Sequence, residues 1–106
     1  MTTFLFSYRM PKGFVPGRTD SVAAWAAWFE ELGNSVNERG NPVFESASLG
    51  NCGANTQLGG YSLITAEDLD TALSLAKGCP ALREGAGGVE VGVITEINLT
   101  RDGEVS

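Results

Sequence analysis

A chain of 106 residues with 42% hydrophobic content holds enough apolar material for one buried core and too little for two, so a single domain is expected. Its 13 acids against 7 bases leave a formal charge of -6, and with no cluster of Lys or Arg a nucleic-acid partner is excluded, because that affinity comes from clustered cations. No apolar run approaches the roughly 20 residues that cross a bilayer, and Met1-Thr2-Thr3 does not open a basic segment leading into an apolar one; the expectation is a cytoplasmic protein with no membrane partner.

The first element in chain order is a strand over Thr3 to Met10. It sets Phe4, Phe6 and Tyr8 on one side and Leu5, Ser7 and Arg9 on the other. Pro11, Gly13, Pro16 and Gly17 hold the chain in a loop, and Asp20 offers an N-cap oxygen to a helix expected to run to about Arg39. Along it Val22, Trp25, Phe29, Leu32 and Val36 recur at spacings of three and four, an apolar stripe ended by Gly40 and Pro42. Val43 to Leu49 alternates weakly as a second strand, and Gly50 to Gln57 has the glycine and asparagine content of an irregular connection.

Leu58 to Thr65 is the third strand. Thr65-Ala66-Glu67-Asp68 has the pattern of a capping box, with Thr65 as the cap and Asp68 reaching back, and Leu69, Ala72, Leu73 and Ala76 form the expected buried stripe of a second helix. Gly78 ends that helix and Pro80 prevents its resumption. Gly85, Gly87 and Gly88 lead to a fourth strand over Val89 to Ile97, and Asn98 to Ser106 is a polar tail beyond the domain of residues 1–97.

The order β-α-β-β-α-β with right-handed crossovers predicts an α+β, ferredoxin-like subunit: a four-stranded antiparallel sheet with both helices on one face. The other face is left bare and partly apolar, which favours pairing with a second copy.

The run Leu58-Gly59-Gly60-Tyr61-Ser62-Leu63-Ile64-Thr65 with its capped helix, Lys77-Gly78-Cys79-Pro80 and Gly88-Val89-Glu90-Val91 resembles the YCII-related family, as do Leu5-Phe6-Ser7-Tyr8-Arg9 and Gly40-Asn41-Pro42. The resemblance implies a dimeric α+β barrel. Many relatives carry Asp-Gly-Pro-Phe before the third strand, where this chain has Gly50-Asn51-Cys52-Gly53-Ala54-Asn55-Thr56. The histidine and aspartate pair proposed for enzymatic relatives has no counterpart in a chain without histidine. Branch relatives often place histidine where Cys79 stands, which draws attention to that residue.

Candidate chemistry is sparse. Tyr8 and Arg9, near the end of a central strand, could orient an anionic or carbonyl-bearing ligand; equally, Tyr8 could pack in the core and Arg9 pair with Glu90. Asp68 could serve as a general base if desolvated, although its capping position accounts for it. Trp25 and Trp28 suit one broad core contact, and Trp28 on the stripe's edge would wall a pocket with Phe14. Glu45, Tyr61 and Cys79 complete the candidate ligand-binding set. Cys79 sits past a helix C-terminus, where the dipole disfavours a thiolate, and Cys52 lies in a loop without a base. Two cysteines leave either a single bridge or two thiols, and a reducing compartment favours thiols; with no CxxC pair and no histidine, no metal is expected. The Gly50 to Gly60 stretch lacks the Gly-Lys-Ser/Thr ending and the following helix of a phosphate cradle.

Three function classes fit these features: a homodimer binding a small, partly apolar metabolite between sheet and loops, a cofactor-independent lyase or isomerase using Tyr8, Arg9 and an acid such as Asp68 or Glu45, and a non-catalytic interaction module.

Overall fold

A computed structural model describes residues 1–14, 19–83 and 87–97, with the side chains of Thr19 and Asp20 left aside. Strand β1 spans Thr2–Pro11 and lies at the centre of the sheet because its alternation is strict: Phe4, Phe6, Tyr8 and Met10 are buried, while Leu5, Ser7 and Arg9 face the other way. Antiparallel partners flank it, β3 (Thr56–Ala66) on one side and β4 (Gly88–Val93) on the other, and β2 (Val36–Glu38) extends the sheet beyond β3. The order β2-β3-β1-β4 is the expected ferredoxin-like α+β arrangement.

Helices α1 (Thr19–Leu32) and α2 (Leu69–Ala76) cover the face that carries Phe4, Phe6 and Tyr8. Trp28 joins them: its ring stacks on Phe6 with centroids 6.2 Å apart, and its indole N–H donates to the Leu75 carbonyl at 3.3 Å. Ala72 and Ala76 let α2 approach the sheet closely and are fully enclosed. Leu69 and Leu73 were expected in that stripe, yet they remain 44% and 45% exposed, because an eight-residue helix buries only the narrow face its alanines occupy.

The structure corrects four further local expectations. Helix α1 stops at Leu32 rather than near Arg39, since Gly33 turns left-handed at φ 55° and a short 3-10 turn, Gly33–Ser35, follows. Val36 then serves a strand, pairing with Ile64, so β2 occupies Val36–Glu38 and the Val43 to Leu49 segment is connection. Pro42 has no N–H for a ladder and makes only an isolated bridge to Gly60, after which Val43 N–H reaches the Gly59 carbonyl at 3.1 Å.

At α2 the cap is Asp68, whose carboxylate accepts from the Thr71 N–H at 2.8 Å, while Thr65 belongs to β3. Strand β4 ends at Val93 instead of Ile97, its last tie being Ile94 N–H to the Thr3 carbonyl. The roles expected of Pro16, Gly17, the Asp20 side chain, Gly85 and the tail Asn98 to Ser106 lie outside the described residues.

On the uncovered face, Leu5 lies opposite Leu63 of β3 and Arg9 opposite Leu58. Leu5 and Leu58 are 37% and 36% exposed there.

Candidate functional site

Between Tyr8 and Arg9 the β1–β3 register slips: Tyr8 pairs with Gly60 and Arg9 with Leu58, so Gly59 is the extra residue of a bulge. The two glycines make this a close approach. A Cβ on Gly59 would fall 2.2 Å from Met10 Cγ, and one on Gly60 would stand 3.0 Å from the Asn41 carbonyl oxygen. Without those side chains the connection after β2 folds down onto the bulge, and beside it a cavity of about 220 Å³ opens between the sheet, α1 and that connection.

The sheet supplies Tyr8, Met10 and the paired glycines to this cavity, and α1 supplies Trp25 and Phe29 with Ser21 and Val22 from the turn before. Phe14 closes the end nearest the β1 loop. Phe14 is pinned, since its N–H donates to the Pro11 carbonyl at 3.0 Å and its own carbonyl accepts from the Gln57 amide at 3.2 Å. The Arg39–Phe44 stretch forms the remaining side, with Phe44 itself 70% exposed.

The aromatic rings hold one another in place. Trp25 meets Tyr8 edge-on at 4.6 Å and Trp28 at 5.8 Å, and Phe29 lies 5.1 Å from Trp28. A wall built this way is preformed, which spares a ligand the entropy of ordering it.

Tyr8 is anchored rather than poised for proton transfer. Its hydroxyl donates to Ser62 Oγ at 2.7 Å, and Ser62 Oγ–H donates in turn to the Arg39 carbonyl. Burial drives the phenol well above its usual range, only partly offset by Ser62, and the nearby Cys79 adds to the rise. It is a neutral donor at any physiological pH.

Arg39 brings charge to the cavity. Its guanidinium carbon lies 5.3 Å from the Phe29 ring centroid, and it is the one charged side chain among the described lining residues. The next residue fixes its backbone: Gly40 has φ 75° and packs so tightly that a Cβ there would sit 1.8 Å from the Tyr61 carbonyl oxygen.

Of the candidates from sequence, Tyr8, Phe14 and Tyr61 border the cavity. Arg9 does not. Being next to Tyr8 on a strand, it projects from the opposite face, where its guanidinium donates to the Cys52 carbonyl at 2.9 Å and to Thr56 rather than pairing with Glu90. Trp28 is buried behind Trp25 as core, and Glu45 follows Phe44 outside the lining.

Cys79 is buried beneath the helices, its thiol pushed up to about 11 by desolvation that outweighs a hydrogen bond from the Ala81 backbone. Asp68 is an exposed cap whose carboxyl is held below its ordinary range by the Thr71 side chain and N–H. The two cysteines are free thiols.

The residues that sequence reasoning passed over are Arg39, Trp25, Phe29 and Phe44. The spacing of Trp25 and Phe29, four apart on α1, signals only core, and a helix running to Arg39 hides that residue in its last turn.

A model of the YCII-related domain matches residues 1–98. No functionally curated protein matches the chain in sequence. Among solved structures, the chain is similar to the 5-chloro-2-hydroxyhydroquinone dehydrochlorinase of Burkholderia phenoliruptrix AC1100, in a complex with 2,5-dihydroxybenzoquinone. That similarity has a TM-score of 0.60 at 21% identity, over 96% of this chain and 99% of the other, and it shows a shared fold.

Proposed function

This chain belongs to the YCII-related domain family, and on that premise we propose that it is a cytoplasmic homodimer that binds a small, partly apolar molecule in the cavity between sheet, α1 and the Arg39–Phe44 connection. The observation that carries this reading is the cavity itself, walled by aromatic rings that the core already holds in place. Pockets for drug-sized ligands run to roughly 300–1,000 Å³. At about 220 Å³ this one suits something smaller. The solved neighbour carries a single-ring molecule, 2,5-dihydroxybenzoquinone, and a ligand of that size is in keeping with the volume here.

Binding is favoured over turnover because the residues proposed for catalysis are dispersed. Tyr8 borders the cavity with its proton committed to Ser62, Arg9 is on the other face of the sheet, and Asp68 caps α2 in solvent. The homodimer rests on the uncovered sheet face with Leu5, Leu58 and Leu63, and the cytoplasmic placement on the two free thiols.

The test is thermal denaturation of the protein against a panel of small metabolites, with tryptophan emission followed in parallel. A ligand that selects the folded state raises the melting temperature saturably, and one in this cavity also quenches Trp25. Trp25→Ala should abolish both responses. A panel spanning acids, amides, phenols and aliphatic compounds that moves neither signal would remove the reading.

A further inference from the structure

We infer that the cavity takes a single-ring aromatic carboxylate, with the ring among the aromatic side chains and the carboxylate received by Arg39; the inference rests on the proposed binding function. Size gives the ring count. An apolar protein cavity of about 150 Å³ accepts one benzene, so about 220 Å³ holds one ring with one or two substituents and has no room for a fused system with long extensions.

The lining chooses an aromatic ring over an aliphatic one. Phe14, Trp25, Phe29 and Tyr8 line the space, and offset or edge-on contacts between rings add to simple area burial.

Arg39 chooses the substituent. The protein carries a formal charge of -6, yet among the described lining residues the charged side chain at this cavity is a cation. A guanidinium resting on the Phe29 ring keeps its N–H edge for an acceptor, and that planar fork matches the two oxygens of a carboxylate. The position is held from behind, through the Ser62 hydrogen bond to the Arg39 carbonyl and the close packing of Gly40 on Tyr61. Ser21 and Asn41 leave polar groups at the lining for a ring hydroxyl.

Titration calorimetry with benzoate, benzamide and cyclohexanecarboxylate on the intact chain tests this. Benzoate should bind about tenfold or more tightly than benzamide, its neutral counterpart of the same shape, as a charge-assisted hydrogen bond warrants, and more tightly than cyclohexanecarboxylate. Arg39→Gln should erase the preference for benzoate over benzamide, and Arg39→Lys should restore part of it. Equal binding of benzoate and benzamide, or an unchanged preference in Arg39→Gln, overturns the aromatic-acid assignment and leaves the cavity reading standing. Failure of all three probes overturns the assignment too; a neutral or non-aromatic compound that then stabilises the wild-type chain and not Trp25→Ala would show that the cavity binds something else, and none doing so would remove both.

Discussion

Tyr8 and Ser62 stand 54 positions apart, and the 2.7 Å hydrogen bond between their hydroxyls ties the floor of the cavity to its rim, because the Ser62 hydroxyl donates in turn to the Arg39 carbonyl. The two ends of this relay are unequal. Tyr8→Phe removes a donor but leaves Ser62 serving Arg39, so it should cost about 1 kcal/mol, the net value of one hydrogen bond. Ser62→Ala strands a buried phenol and a carbonyl together, and about 2 kcal/mol or more is expected. In urea unfolding the double variant should lose less than the sum of the singles. A Tyr8→Phe loss equal to or larger than that of Ser62→Ala would contradict the relay.

Gly40 admits no side chain. Its φ of 75° disfavours L-residues, and the carbonyl oxygen that a Cβ would meet at 1.8 Å belongs to the Tyr61 backbone, which cannot rotate away. Gly40→Ala should therefore destabilise the fold by about 2 kcal/mol or more and weaken ligand affinity through displacement of Arg39. Gly33→Ala is the control for the conformational part alone, since φ there is 55° and a Cβ meets nothing within 4 Å. The difference between the two melting temperatures reports the backbone collision; no difference would show that the connection is looser than this packing implies.

The sheet and both helices were legible because they depend on periodicity. Phe4, Phe6 and Tyr8 alternate with Leu5, Ser7 and Arg9, and that pattern alone assigns the faces. The same rule sets Tyr8 and Arg9 on opposite faces of β1, where the structure has them. What periodicity could not show was the end of α1. Val36 falls at a helical spacing from Leu32 and fits the stripe, and only tertiary pairing with Ile64 makes it a strand residue. With β2 displaced, the pattern over Arg39–Phe44 reads as helix end and strand, which leaves the cavity it builds without one side. The bulge at Gly59 was equally hidden, since a glycine pair in a strand signals close approach without naming the neighbour.

The two cysteines should differ sharply toward alkylating reagents. Cys52 is exposed in its loop, and Cys79 is buried with its thiol pushed from 9.0 up to about 11, so native protein at pH 8 should take up one equivalent of iodoacetamide quickly and the second only in denaturant. The same shift sets a pH dependence. The unfolded chain releases the Cys79 proton near 9.0 while the folded chain keeps it to about 11. In that window the unfolded state binds fewer protons and stability falls with rising pH, having been fully present below it. The loss is of order 2 kcal/mol, and Cys79→Ala should flatten the fall that begins near pH 9.0. Tyr8, raised from 10.0 by burial, keeps the later part of the decline in that variant. An unaltered profile in Cys79→Ala would show that another group drives it.

The uncovered sheet face and the cavity lie on opposite sides of β1, which makes assembly and binding separable. Leu5 sits directly across from Leu63, and Leu58 across from Arg9, so charge placed at Leu5 falls in the middle of the apolar surface proposed to pair with a second copy. Wild-type protein should sediment as a dimer of the 11.1 kDa chain at micromolar concentration. Leu5→Arg should shift it to monomer, since an unpaired charge at the centre of a desolvated interface costs several kcal/mol. Because Tyr8, Trp25 and Arg39 are untouched, the monomer should keep its ligand affinity to within a fewfold if the cavity is complete in one subunit. Wild-type protein already monomeric in the ultracentrifuge would dispose of the pairing while leaving the cavity intact. A monomeric Leu5→Arg that folds but no longer binds would instead show that the second copy finishes the site.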